Sequence, residues 1–131
     1  MTVVITDALN DARLAGTLAF LDTGPANAAI QIYGGTRAAT PADAPADPEL
    51  VSIPLTKPAG NVSNGTLLLT PQAPGLIMVS GVATWARVVN GAGAVAFDCD
   101  AGQGPGAWAV QLVQSSLLAG GDARLISAIL G

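Results

Sequence analysis

Asp98 and Asp100 flank the only cysteine, Cys99, and this short run is the part of the sequence closest to a chemical constellation. Paired carboxylates can bind calcium or divide acid and base roles between them. Calcium takes about six or more oxygens from a shaped loop, and nothing like an EF-hand loop occurs here, even with Asp122 brought near. Glycoside chemistry needs two carboxylates facing each other across a cleft, whereas residues i and i+2 of a strand point the same way. Cys99 as a nucleophile would need a base or a cation to lower its pKa, but two acids flank it and the chain contains no histidine. A buried structural thiol is the expectation, and a lone cysteine forms no internal disulfide.

The runs Gly102–Ala107 and Gly91–Ala96 both fit the dinucleotide pattern G-x-G-x-x-G/A. That pattern works when a helix N-terminus follows and aims its amides at a pyrophosphate. Each run here leads into residues that alternate with period two, so both read as turns. Asn61-Val62-Ser63 and Asn64-Gly65-Thr66 match the glycan-acceptor triplet and also read as turn residues. Trp85 and Arg87 share one strand face, as do Gln31 and Tyr33. Aromatic and arginine side chains are typical interface anchors, although a covered strand face would hold them equally well. The candidate interface set is Tyr33, Arg37, Pro41, Pro45, Pro48, Trp85 and Arg87. No catalytic set, cofactor site or metal site is assigned.

The elements that must carry these residues are mostly short strands. Thr6 or Asp7 can cap a helix over residues 7–22, with Leu14, Leu18 and Leu21 on one face and Gly24-Pro25 ending it. Gly16 in its middle is unfavourable by about 1 kcal/mol relative to alanine, so the helix is expected to rely on packing against a sheet. From Ala28 the period becomes two. Ala28, Ile30 and Ile32 oppose Ala29, Gln31 and Tyr33, and Gly34-Gly35 stops the strand. Residues 36–49 are rich in Ala, Pro and Asp and cannot close a core, so they form a loop or an arm that docks on a neighbour. Val51, Ile53 and Leu55 make a strand that Pro54 marks as an edge. Asn61–Gly65 turns into Thr66–Thr70, with Pro71 and Pro74-Gly75 breaking that strand.

A hairpin follows, with Val82–Val89 and Val95–Cys99 joined by Asn90–Gly93. Each of its strands is expected to keep one wet side, with Val95, Phe97 and Cys99 inward and Asp98 and Asp100 outward. Gly102–Gly106 reads as a flexible link, Trp108, Val110 and Leu112 alternate, and residues 124–130 close the chain after a turn at Gly120-Gly121. Strands joined by Gly/Pro turns, with one N-terminal helix, make the fold mainly β: an antiparallel β-sandwich or jelly roll in a single domain over residues 1–131.

Half of the 131 residues are apolar, only 4% are aromatic and 11% are charged, with a net charge of −4. Mean hydropathy is +0.52. So little charge favours association, and a homo-oligomer or assembly component is expected. The five cations, Arg13, Arg37, Lys57, Arg87 and Arg124, are scattered, which argues against a nucleic-acid partner. The N-terminal residues lack the charged and apolar regions of a secretory signal. The longest apolar stretch, Leu76–Val89, falls short of the roughly 20 residues of a membrane span.

The segment order resembles a group of small tailed-bacteriophage virion proteins. An Ala-rich helix ends Leu21-Asp22-Thr23-Gly24, the strand Ala29–Tyr33 runs into Gly34-Gly35-Thr36-Arg37, an Ala/Pro loop follows, and Gly81–Val88 precedes an Asn-Gly turn. The similarity spans most of residues 7–100. It implies a non-enzymatic structural protein, in the first reading a capsid cement or decoration protein of jelly-roll type that binds the major capsid protein. Such a protein would be made in the host cytoplasm and carried on the capsid surface. A tail or head-tail connector component is the second reading. A carbohydrate-binding β-sandwich, with Trp85, Trp108 and Tyr33 stacking on sugar rings, is a third.

Overall fold

The computed structural model describes residues 3–104 and 108–131. One helix, α1 (Asp7–Leu21), precedes eleven strands: β1 (Ala29–Tyr33), β2 (Glu49–Ser63), β3 (Thr66–Pro71), β4 (Gly75–Leu76), β5 (Gly81–Val82), β6 (Trp85–Val89), β7 (Val95–Gln103), β8 (Val110–Leu112), β9 (Ser116–Leu117), β10 (Asp122–Ala123) and β11 (Leu125–Leu130).

The fold is mainly β, but the main sheet closes on itself as a seven-stranded barrel in the order β1-β2-β3-β11-β8-β7-β6, where a sandwich or jelly roll was expected. Alternation along a strand says which face is buried and leaves open which two strands meet. Here β1 is bonded by β2 on one side and β6 on the other, and β11 closes the ring between β3 and β8. All barrel pairs are antiparallel except β7 with β8. Two small sheets, β4 with β10 and β5 with β9, sit outside the ring.

The inward set follows the predicted alternation. Ile30, Ile32, Val51, Ile53, Leu55, Leu67, Ala86, Val88 and Leu112 are essentially inaccessible. Register places Ile30 between Ile53 and Val88, and Ile32 between Val51 and Ala86. Each such side chain contributes roughly 1.5–3 kcal/mol through burial.

Helix α1 agrees with the predicted span to within one residue. The hydroxyl of Thr6 accepts from Leu9 N–H at 3.1 Å and caps it. Leu14 and Leu21 are buried in the core and Leu18 packs against it. Both ends are tied to the β2–β3 hairpin. Asp11 accepts from Gly65 N–H at 2.6 Å, Asn10 donates to Gly65 C=O at 2.9 Å, and Asp22 accepts from Ala59 N–H at 2.9 Å. That hairpin turns on Asn64 and Gly65 alone, both at positive φ, which is tighter than the predicted Asn61–Gly65 turn.

Three further expectations change. Pro54 does not mark an edge, because β2 has neighbours on both sides. Its carbonyl accepts from Gln72 N–H at 2.8 Å, so the missing proline donor faces the place where the chain leaves β3 and the ladder is already irregular. Strand β6 has no wet side, since all five of its residues are buried. Gly102 and Gln103, expected to be part of a flexible link over Gly102–Gly106, belong instead to β7 and pair with β8; Pro105 and Gly106 of that link lie outside the described residues.

The β6–β7 turn is pinned by a close backbone approach. Ala26 N–H donates to Gly91 C=O at 3.2 Å. A Cβ on Gly91 would overlap the carbonyl of Ala26, whereas one on Gly93 would meet nothing within 4 Å. Gly93 has φ of +84°, so Gly93→Ala incurs only the left-handed strain of about 1–2 kcal/mol. Gly91→Ala must also displace the backbone and is expected to lower stability clearly more in urea unfolding; equal effects would contradict this packing.

Candidate functional site

The outer face of β1, β6 and β7 gathers the anchors singled out from sequence. The Tyr33 and Trp85 rings stack with centroids 4.6 Å apart and planes 18° apart. The Arg87 guanidinium lies 5.5 Å from the Trp85 ring centroid and holds Asp98 through two hydrogen bonds, of 2.7 and 3.0 Å. Trp85 Nε1 donates to Gly34 C=O, and Tyr33 Oη donates to Gln31 Oε1, both at 3.2 Å.

This face is not open to a partner. Trp85 is 1%, Arg87 5% and Tyr33 6% exposed. The segment 36–48 folds back over it as a strap. Arg37 bridges Asp100 at 3.2 Å, the Thr84 hydroxyl donates to Gly35 C=O at 2.7 Å, and Asp43 comes near enough to Arg87 to favour its charged form. Tyr33, Trp85 and Arg87 therefore serve the chain's own interior, correcting their expected role as free anchors. Of the rest of that set, Arg37, Pro41 and Pro48 are exposed and Pro45 is half-buried on the strap. The strap keeps its own side chains out of the core, as expected, while it shields an ion pair from water.

Asp98 and Asp100 do lie on the outer face, opposite Arg87 and Trp85, while Phe97 and Cys99 oppose Val88 and Ala86. Each carboxylate is taken by an arginine. Burial, with Asp100 and Asp98 adding to it, pushes the Cys99 thiol up to about 12, which leaves it protonated and unreactive near neutral pH. Desolvation raises Glu49 and Tyr33 as well. Among the described residues no group of three or more His, Cys, Asp or Glu is placed to hold a metal ion, and no helix is long and apolar enough to cross a membrane. Trp108 is half-exposed, with its indole against the Gly102 backbone. Tyr33 and Trp85 face each other, so the three rings form no common open platform for a sugar.

The surface with unspent apolar area lies elsewhere, at the end of the barrel built by the two small sheets. Leu76 (56% exposed), Met78 (69%), Val82, Val113 and Leu118 (71%) stand out over buried Ile77 and Leu117. Ribbon pairing brings them together, since Leu76 pairs with Asp122, Val82 pairs with Ser116, and Ile77 exchanges backbone bonds with Gly120 and Gly121. A hollow of about 400 Å³ beside Val113 and Leu118 is also lined by Ile77 and Leu117 and by the charged Asp122 and Arg124. No charged residue occurs between Lys57 and Arg87 or between Asp100 and Asp122. Those two uncharged spans supply most of this end. Sequence reasoning missed the patch because two-residue strands carry no period, although the uncharged spans were a readable signal.

Set against known proteins, the chain matches no family model, no curated protein and no solved structure.

Two outcomes follow from this geometry. Removing one member of the buried pair, by Arg87→Met or Asp98→Leu, strands a charge under the strap and should lower stability by about 3 kcal/mol in urea unfolding. The double variant should be less damaged than the two single effects added together. For Cys99, the native state keeps a proton that the unfolded chain releases above its ordinary pKa of about 8.5. The thiol's contribution is complete below that pH and is lost as pH rises towards 12, by at most about 1.4 kcal/mol per unit. Cys99→Ala should remove the part of the alkaline slope that begins below the tyrosine range.

Proposed function

We propose that this chain is a non-enzymatic virion structural protein, a capsid cement or decoration protein that docks on the lattice of the major capsid protein. The observation carrying this reading is the apolar end where Leu76, Met78, Val82, Val113 and Leu118 stand exposed. Free monomers rarely keep a contiguous patch of large apolar side chains in water, and association is the ordinary use of one. Ile77 and Leu117 beneath it are already buried, so the fold does not require apolar residues in the outer layer.

The rest of the molecule suits attachment to a repeating surface. Asp98 and Asp100 are each paired with an arginine and the Cys99 thiol is protonated, so none of these three is an activated group. Docking many copies on a lattice needs only a modest interface per copy, because each copy sees an equivalent patch. A tail or head-tail position would use the same end of the barrel, and the same measurement separates the two.

Met78→Glu combined with Leu118→Glu places two charges on the patch at positions outside the core. Fold and melting temperature should remain near those of the parent, within the roughly 0.5 kcal/mol typical of surface changes. Co-sedimentation with purified capsid shells and with isolated tails is the readout. The parent is expected to pellet with shells and the double variant to stay in the supernatant. Pelleting with tails alone would move the protein to the tail, and a parent that binds neither assembly nor itself would overturn the reading.

A further inference from the structure

The barrel is incompletely zipped along one strand. β7 is bonded to β6 over Val95–Asp100, but its ladder with β8 begins only at Ala101. Ala101 N–H donates to Thr84 C=O, so alternate residues back along the strand, Cys99 and Phe97, also turn their backbone groups towards β6. Asp98 therefore turns its N–H and C=O the other way, and among the described residues neither has a backbone partner.

That open edge faces an apolar groove of about 680 Å³. Gly16, Thr17 and Phe20 of α1 form one wall, β7 from Val95 to Cys99 forms the other, and Leu130 closes one side. Thr17 and Leu130 also line a second hollow of about 360 Å³ next to Asn10, Arg13 and Leu14, so the groove continues along the helix towards its N-terminus. Arg13, at that end, makes no ion pair among the described residues.

Gly16 is the telling residue. It sits in the interior of the helix, where glycine is disfavoured, and a Cβ there would meet nothing within 4 Å. No contact within the chain calls for its small size. Glycine on a groove wall lets another backbone come close.

We propose that this groove takes an extended segment of a partner protein, added as a strand on the open edge of β7, with apolar side chains at alternate positions and an acidic group at the end that reaches Arg13. The unpaired N–H and C=O of Asp98 select a strand over other ligands, the apolar walls select its inward side chains, and Arg13 sets the charge at one end. A second copy of the barrel is disfavoured as occupant, because the edge lies beside α1 and the copy would bring its own helix to the same place. This inference is independent of the cement reading and concerns a different face.

Panning the intact chain against a displayed library of random peptides of about ten residues, with Gly16→Leu as counter-selection, tests it. Enriched peptides should alternate apolar and polar residues and carry Asp or Glu near one end. Synthetic versions should bind the parent and lose roughly tenfold or more in affinity on Gly16→Leu, although that variant should melt at a higher temperature than the parent. N-methylation of alternate peptide residues should abolish binding, and Arg13→Glu should shift preference to peptides ending in Lys. Bound peptide should also slow amide exchange at Asp98. Failure to enrich any peptide, equal binding to Gly16→Leu, or tolerance of N-methylation would overturn the proposal. A parent dimer in sedimentation that Gly16→Leu dissolves would assign the groove to a second copy and overturn it equally.

Discussion

The ion pair between Arg87 and Asp98 is the constraint around which the outer wall of the barrel is organised. In a chain with so few charges, two of them are held together at 2.7 Å with their side chains about 95% inaccessible. A buried pair is tolerable only when its geometry is good and no fully buried polar atom is left unpaired; here the contact is bidentate, and among the described residues no fully buried side-chain polar atom lacks a partner. Water must also be kept out, which is the work of the strap. It is tethered between the end of β1, through Gly34-Gly35, and the first residue of β2, so the elements that build the wall also set where the strap can lie. The pair fixes register as well. Sliding β7 by one residue against β6 would turn Asp98 into the barrel beside Val88 and Ile30, with no cation to meet it.

Much of the local structure was legible from sequence because it rests on interactions close along the chain. Thr6 and the leucines at positions 14, 18 and 21 define the helix, Gly24-Pro25 ends it, and Asn64-Gly65 makes the β2–β3 turn. Period-two alternation assigns Ile30, Ile32, Ile53 and Val88 to the interior without reference to any partner strand. Ring closure lies beyond such signals. It depends on β11 finding β3 and β8, a pairing of Ile129 with Leu68 and of Ala128 with Val110 that no local pattern encodes.

The misreadings share one cause. Alternation equates polar with wet, and at Trp85–Val89 that fails because a loop supplies the second cover. Gln31, Arg87 and Asp98 look like the solvent side of a hairpin until residues 36–48 are laid across them. The composition of that loop was correctly judged unfit for a core, yet a segment need not enter a core to exclude water from one. Pro54 follows the same logic in reverse. Its missing donor would expose an edge in a regular ladder, but here it points to a gap that the β2–β3 irregularity already provides.

Residue type alone therefore ranks this protein's surfaces in the wrong order. Tryptophan, tyrosine and arginine are the usual interface anchors, and here Trp85, Tyr33 and Arg87 are consumed inside the chain, the indole N–H and the phenol hydroxyl each bonded and the guanidinium holding Asp98 through Nε and Nη2. Leucine, methionine and valine on and beside the two small sheets attract less notice in a sequence, yet they stand in water. The difference is one of alternatives. Removing cover from Arg87 would expose a bonded pair that was already satisfied, so little drives that face to seek a partner. Covering Met78 and Leu118 would release ordered water from side chains that the described residues leave exposed. The end built by the two small sheets therefore carries exposed apolar area whose covering would be favourable, and the satisfied face does not.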